Sequence, residues 1–173
     1  MKTLGSEIRR EQQGDPKEIA TIDRDAFGRS NEADLVNLRR ASEYYLPQLS
    51  LVAVTDKMVV GYALFTSADL VGEDTRRVLS FALLAVSPRH QNQGIGSALV
   101  KAGLEIAEEM GEPLTIVLGE PEYYSRFGFV TAAAYGIKCP FPASEEAFQV
   151  KLFPHYQTSY IGTVVYPPAF DLV

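Results

Sequence analysis

Cysteine occurs once in this 173-residue chain, at Cys139, and histidine twice, at His90 and His155. A lone thiol closes no intrachain disulfide and builds no cysteine-rich zinc site, so a reducing, cytoplasmic setting is expected. The two histidines stand too far apart for metal-ligand spacing, and no metal is expected. Long apolar runs are missing as well. No stretch approaches about 18 uninterrupted apolar residues, and the polar segment from Met1 to Asp15 lacks the apolar core of a secretory leader. Neither a membrane span nor a signal peptide is expected. Positive charge is in deficit, with 16 basic against 22 acidic residues and a formal charge of -6. That balance argues against a general binder of nucleic acid or of acidic membranes, and an acidic surface suits a cationic amine better.

What is present describes an ordinary globular chain, 46% hydrophobic and 22% charged. Its length fits one domain spanning residues 1–173, without repeats. Glu7 to Arg10 reads as a short first strand, followed by the turn residues Gly14-Asp15-Pro16. Asp15 is placed to cap a helix, with Pro16 at its first position, Glu18 three residues on, and Ile19, Ile22, Ala26 and Phe27 at helical spacing. A second helix is expected over residues 32–44, ending before Pro47. The β-rich runs Leu51 to Val54 and Met58 to Phe65, broken by Thr55-Asp56-Lys57, form a hairpin. Val78 to Val86 is nearly all apolar, as a central strand covered on both faces should be.

The clearest periodicity follows. Ile95, Ala98, Leu99, Ala102, Gly103, Ile106, Ala107 and Met110 fall on one helical stripe, with Ser97, Lys101, Glu105 and Glu108 opposite and Gly111 and Pro113 as the stop. Leu114 to Leu118 is a buried strand, and joining it to the 78–86 strand across this helix makes a β-α-β unit with parallel strands. A helical turn over 122–127, strands over 129–134 and 148–153, and a β-rich tail over 159–166 complete the chain.

Between the central strand and the best helix lies Gln91-Asn92-Gln93-Gly94-Ile95-Gly96-Ser97. Two glycines where a strand turns into a helix let backbone N–H groups face an anion at the helix's positive end. A dinucleotide fingerprint would need a third glycine at the position of Leu99, and a mononucleotide P-loop would need a lysine after the second glycine. Both readings fail. What remains, Q-x-x-G-x-G between strand and helix, resembles the coenzyme-A loop of the GNAT superfamily of N-acetyltransferases. The βααβββαβαβ order matches that family over nearly the whole chain, and Tyr124-Ser125-Arg126-Phe127-Gly128-Phe129 is similar to its Y-x-x-x-G-F segment. Leu118-Gly119-Glu120-Pro121 and the tail from Gly162 to Phe170 resemble the YhbS-like branch.

The resemblance implies an α/β fold with a central mixed sheet of about six or seven strands, helices on both faces and splayed central parallel strands. It implies acetyl-coenzyme A as co-substrate and an amine acceptor, either a small molecule or a protein N-terminus or lysine, with the chain a monomer or a homodimer. The backbone from Gln91 to Ser97 would hold the pyrophosphate, with Arg89 near a phosphate. The backbone of Leu84, Ala85 and Val86 would pair with the pantetheine amides as an added strand does. Tyr124 matches the family position whose hydroxyl faces the departing sulfur. Proton transfer from a phenol near pKa 10 to a thiolate whose acid lies near 8.5 runs uphill by about 2 kcal/mol, which favours hydrogen-bond donation over full transfer.

The 78–86 strand carries no carboxylate. Glu120, just past the splayed strand, is the candidate general base; Glu122, Glu73 and Asp74 are alternatives, as is a water chain. His90 and His155 read as structural or surface groups. Tyr44, Tyr45 and Phe27 are candidates for an acceptor pocket, set against simple helix packing. The Arg39-Arg40 and Arg76-Arg77 pairs read as solvated. A catalytically silent acyl-coenzyme-A-binding module stands as the alternative function.

Overall fold

A computed structural model describes residues 2–3, 6–27 and 43–166 of the chain. Its strands are β1 (Lys2–Thr3), β2 (Ser6–Arg10), β3 (Tyr45–Thr55), β4 (Met58–Val71), β5 (Thr75–Val86), β6 (Leu114–Leu118), β7 (Val130–Thr131), β8 (Ile137–Lys138), β9 (Phe148–Leu152) and β10 (Gly162–Val165). Its helices are α1 (Pro16–Phe27), α2 (Ile95–Glu109) and α3 (Pro121–Ser125). The strands form one mixed sheet in the order β1-β2-β3-β4-β5-β6-β9-β7, with β10 pairing to β4 and β8. Three two-residue strands account for the excess over the six or seven expected.

The hairpin expected at Thr55-Asp56-Lys57 is tighter than that triplet. Thr55 pairs with Met58, leaving Asp56 and Lys57 as a two-residue turn with φ of 50° and 65°. Two positive φ values match the right-handed twist of the flanking strands. The β-α-β unit is present, with β5 and β6 parallel across α2. The strand expected over 129–134 is not. Only Val130–Thr131 is extended, and Ala132–Tyr135 form a 3-10 turn closed by Gly136 at φ 74°. Three successive alanines bring no β-branched surface to a sheet, so the turn wins. The helix expected over 32–44 lies outside the described residues except for a turn at Glu43 and Tyr44. The side chain of Phe27 and the Arg39-Arg40 pair also lie outside them.

A register shift in β5 decides which side chains face which helix. Leu64 pairs with Leu83 but Phe65 with Phe81, so Ala82 is an extra residue, a β-bulge. Leu79 and Phe81 before it, and Leu84 and Val86 after it, all pack in the core beneath α2. Leu83 and Ala85 pack instead with Ile19 and Ile22 of α1. Without the bulge, simple alternation would send Leu84 and Val86 to the opposite face. The α2 stripe is wider than expected: Val100 and Leu104 are also buried, whereas Met110 lies past the helix end and is exposed.

Asp15 stands immediately before α1, as expected, but its carboxylate does not cap the helix. It accepts from Gln12 N at 2.6 Å and takes a bidentate pair from Arg9, at 2.7 and 3.1 Å. Glu18 does not complete a capping box either; it reaches across to accept from Val59 N on β4 at 2.8 Å. Both carboxylates thus tie α1 and its approach to the sheet. The Arg9 hydrogen bond holds the Asp15 carboxyl below the ordinary carboxylate range, against the opposing effect of burial.

A carboxyl with a depressed folded-state pKa stabilises the fold above its unfolded value, near 4, and loses that contribution as pH falls through the folded value. Asp15→Asn is therefore expected to cost about 1.5–3 kcal/mol at pH 7, the range for charge-assisted hydrogen bonds to a buried group. Urea unfolding at pH 7 and pH 3 checks this, and the gap between the two proteins should narrow at the lower pH.

Candidate active site

The site begins where sheet pairing stops. β5 and β6 are joined only through Leu79 with Thr115 and Ser80 with Ile116. Beyond those pairs each strand stays with its outer neighbour: β5 follows β4 as far as Val86 with Gly61, and β6 follows β9 as far as Leu118 with Phe148. The inner edges therefore diverge, leaving a cleft of about 540 Å³ lined by Phe81–Leu84, Val117–Glu120, Tyr123 and Tyr124. Unpaired strand edges in such a gap suit an extended ligand carrying amides.

At the open end of β5 the chain makes a 3-10 turn over Pro88–His90 and then the glycine loop. Asn92 and Gly94 adopt left-handed φ of 62° and 84°, and α2 starts at Ile95. Gly94 is needed for its backbone, since nothing crowds its missing Cβ. Gly96 sits close to the channel wall: a Cβ there would lie 3.2 Å from the Tyr123 hydroxyl, a tight contact that asks that side chain to shift by a few tenths of an ångström. Gln91 folds its amide back to donate to Val86 O at 3.1 Å, which fastens the loop to the end of β5.

The loop borders a second groove of about 450 Å³, lined by His90, Gln91, Asn92, Gly94, Ile95, Gly96 and Ser97 with Leu84, Val86, Tyr123 and Arg126. Leu84 and Tyr123 line both spaces, so the two lie side by side and together mark a channel from the helix start to the sheet gap, with those two side chains at their shared wall. Gln93 lines neither, because its amide turns towards Arg89 O at 3.4 Å. The side chain of Ala85 faces α1, and Arg89 also lies off the channel lining. His90 does line it, with Nδ1 buried and lacking a hydrogen-bond partner among the described residues.

Tyr124 is wedged among rings, edge-on to Phe81, Tyr123 and Phe129 at centroid distances of 6.0, 5.1 and 5.6 Å. Gly119 makes room for it, since a Cβ at that position would lie 2.6 Å from its ring. Burial, reinforced by Tyr123, pushes the Tyr124 phenol up to about 12. Glu120 lines the cleft and is solvent-exposed, with its carbonyl accepting from Tyr124 N at 3.1 Å. Glu122 is exposed and off the lining. Glu73 and Asp74 occupy the turn at the opposite end of β5, roughly 26 Å of strand from Ala82, which removes both as bases.

The remaining candidates scatter. His155 is exposed near Gly111, past the far end of α2. Tyr44 donates to Asp69 at 2.8 Å, with Arg77 over its ring, and Tyr45 donates to Glu11; neither lines the channel. Arg76 and Arg77 are not simply solvated. Arg76 donates to Ser159 at 2.9 Å and lies over the Tyr160 ring, and Arg77 pairs with Asp69 at 3.1 Å. Two channel residues escaped the sequence reading. Tyr123 stands one position before the tyrosine of the Y-x-x-x-G-F segment, and Arg126 lies inside that segment; Arg126 reaches Ser97 Oγ at 3.4 Å and lies against the Tyr123 ring. The helical turn that puts Tyr123 and Arg126 three apart on one face was the available signal.

No helix among the described residues is long and apolar enough to cross a membrane, and no cluster of three metal-ligating side chains occurs among them. Residues 7–132 match the model of the acetyltransferase (GNAT) domain. The chain is 39% identical over 133 residues to the uncharacterized N-acetyltransferase YhbS of Escherichia coli K12, covering 76% of this chain and 78% of that one. It is 40% identical over 134 residues to the uncharacterized N-acetyltransferase YjhQ of the same organism, covering 76% and 74%. Among solved structures, E. coli YhbS in complex with CoA superposes with a TM-score of 0.84 at 34% identity, covering 99% of this chain and 94% of that one. A GNAT acetyltransferase from Brucella melitensis in complex with acetyl-CoA gives 0.78 at 29% identity, covering 96% and 98%. With its splayed sheet, its glycine loop and these relatives in agreement, the chain belongs to the GNAT family of N-acetyltransferases.

Proposed function

We propose that this protein transfers the acetyl group of acetyl-coenzyme A to an amine by direct attack, without a covalent enzyme intermediate. The observation that carries the reading is the pair of adjoining grooves, one at the α2 start and one in the β5–β6 gap, that share Leu84 and Tyr123. Similar chains solved with CoA and with acetyl-CoA support the identity of the donor. The pyrophosphate would lie against the backbone of residues 91–97, with Arg126 as a charged partner. The pantetheine arm would follow β5 from Val86 towards Phe81, roughly 16 Å of strand, with its amides against the backbone of Leu84, Ala85 and Val86.

Acetyl transfer then needs charge control at two atoms. The amine nitrogen attacks the thioester carbonyl, a C–N bond forms, the C–S bond breaks, and the sulfur leaves with the electron pair. A backbone N–H of the bulged β5 segment would stabilise the developing oxyanion. Tyr124 would donate a hydrogen bond to the sulfur. With its phenol near 12, proton transfer to a thiolate is further uphill than for a free tyrosine, so its contribution is that of a neutral donor. Glu120 at the cleft mouth would accept the ammonium proton, directly or through water. The acceptor class is a primary amine of a small molecule or of a protein.

The deciding experiment is release of free CoA thiol from acetyl-CoA over a panel of amines, run beside CoA binding. Acceptor-dependent release supports transfer; absence of CoA binding overturns the reading. Tight binding with no release across the panel favours a silent acyl-coenzyme-A-binding module, for which the absence of any carboxylate along β5 is the supporting observation.

Tyr124→Phe is expected to lower kcat by about 10²-fold while leaving CoA affinity within about threefold. Because a raised pKa keeps the phenol protonated until pH nears 12, kcat at saturating acceptor should show no falling limb from this group between about pH 8 and 10. Glu120→Gln should lower kcat/KM by about tenfold near neutrality, with the deficit shrinking as rising pH supplies neutral amine. Arg126→Gln should weaken CoA binding by about five- to tenfold in low salt and by less in high salt, read by calorimetry.

A further inference from the structure

The closed end of the cleft is built from a column of aromatic rings. Phe65 of β4 and Phe81 of β5 stack at 4.2 Å with 5° between their planes, and Tyr124 meets Phe81 edge-on. The column is backed by α2 at a point where no side chain fits: a Cβ on Gly103 would lie 2.2 Å from the Phe65 ring. Phe65 is fully buried, while Phe81 keeps 6% exposure and lines the cleft.

Phe81 also occupies a particular place in the ladder. It directly follows Ser80, the last residue of β5 paired to β6. The bulge at Ala82 keeps Phe81 on the same face as Leu84 and Val86. A ligand lying along Val86 and Leu84 therefore meets the Phe81 ring next, at the apex where the two strands close.

We infer that Phe81, held by Phe65 against the Gly103 backbone, limits the length of the acyl group the cleft accepts. This rests on the coenzyme reading above and adds a specificity-determining residue to it. An aliphatic floor could yield by rotating to another rotamer. Two stacked rings pressed on a helix backbone have no such freedom in a close-packed interior. Acetyl fits between the sulfur and the ring, and each further methylene must displace the column. The bonds made and broken are those of acetyl transfer; only the substituent on the carbonyl carbon changes.

The test is equilibrium binding of CoA, acetyl-CoA, propionyl-CoA and butyryl-CoA to the wild type, Phe81→Leu and Phe81→Ala, with melting curves to confirm folding. In the wild type, butyryl-CoA is expected to bind at least about tenfold more weakly than acetyl-CoA, since a fitted apolar pocket discriminates one methylene by roughly 10–200-fold. Phe81→Leu should bring propionyl-CoA, and Phe81→Ala butyryl-CoA, to within about threefold of acetyl-CoA. If the alanine variant does not fold, the leucine series decides. Equal binding of acetyl- and butyryl-CoA by the wild type, or an unchanged propionyl-to-acetyl ratio in folded Phe81→Leu, overturns the length limit and leaves the coenzyme reading standing. Failure of the wild type to bind free CoA overturns the coenzyme reading itself.

Discussion

The two-pair ladder between β5 and β6 is the constraint on which the site depends. Two parallel pairs hold the strands together at one end, and the outer ladders to β4 and β9 hold them apart at the other. Strands left free in such an arrangement would close on each other to satisfy their backbone groups. Here they are prevented by long ladders on their far sides, and the gap is paid for by pairing elsewhere in the sheet. A binding cleft made this way is defined by backbone position, so it tolerates wide variation in side chains. That is consistent with a fold kept at 34% and 29% identity in the two solved relatives.

The bulge at Ala82 converts that gap into a usable channel. It restores Leu84 and Val86 to the α2 face after Phe81, so one wall of the channel is continuous from the glycine loop to the apex. It also assigns Leu83 and Ala85 to α1, which gives that helix its apolar seat. One inserted residue thus serves both layers, and its deletion would misplace side chains on two faces at once.

Much of this was legible in the sequence, and the limits have identifiable physical causes. The α2 periodicity, the β-α-β unit, the hairpin and the glycine loop all follow from local patterns, because helix stripe, strand run and left-handed glycine are each set by neighbouring residues. The bulge was not legible: nothing in Phe81-Ala82-Leu83 distinguishes an extra residue from regular alternation until the partner strand is known. Asp15 and Glu18 had the spacing of a capping box, yet Arg9, brought round by the turn between β2 and α1, took the first carboxylate, and Val59 N, which only tertiary structure brings near, took the second. A charged guanidinium outcompetes a helix N–H for a carboxylate, so at Asp15 the capping rule lost to a stronger donor. Arg126 was invisible as a channel residue for a similar reason. Its meaning comes from Ser97, on an element far from it in sequence.

The two ends of the channel differ in how they treat charge. At the loop end, anionic phosphates would meet backbone dipoles and Arg126, groups whose charge does not change near neutral pH, so recognition of the coenzyme needs no titrating side chain. At the gap end the walls are apolar and aromatic, and the Tyr124 phenol is held in its neutral form by burial. A carboxylate placed inside that apex would pay the same desolvation, be driven to its protonated form and fail as a base near neutrality. An exposed carboxylate at the mouth escapes the penalty. Under the proposed mechanism, the absence of acid along β5 and the position of Glu120 would then be two sides of one requirement: a neutral donor would face the sulfur at the apex, and the proton would leave where water can stabilise the charge that accepts it.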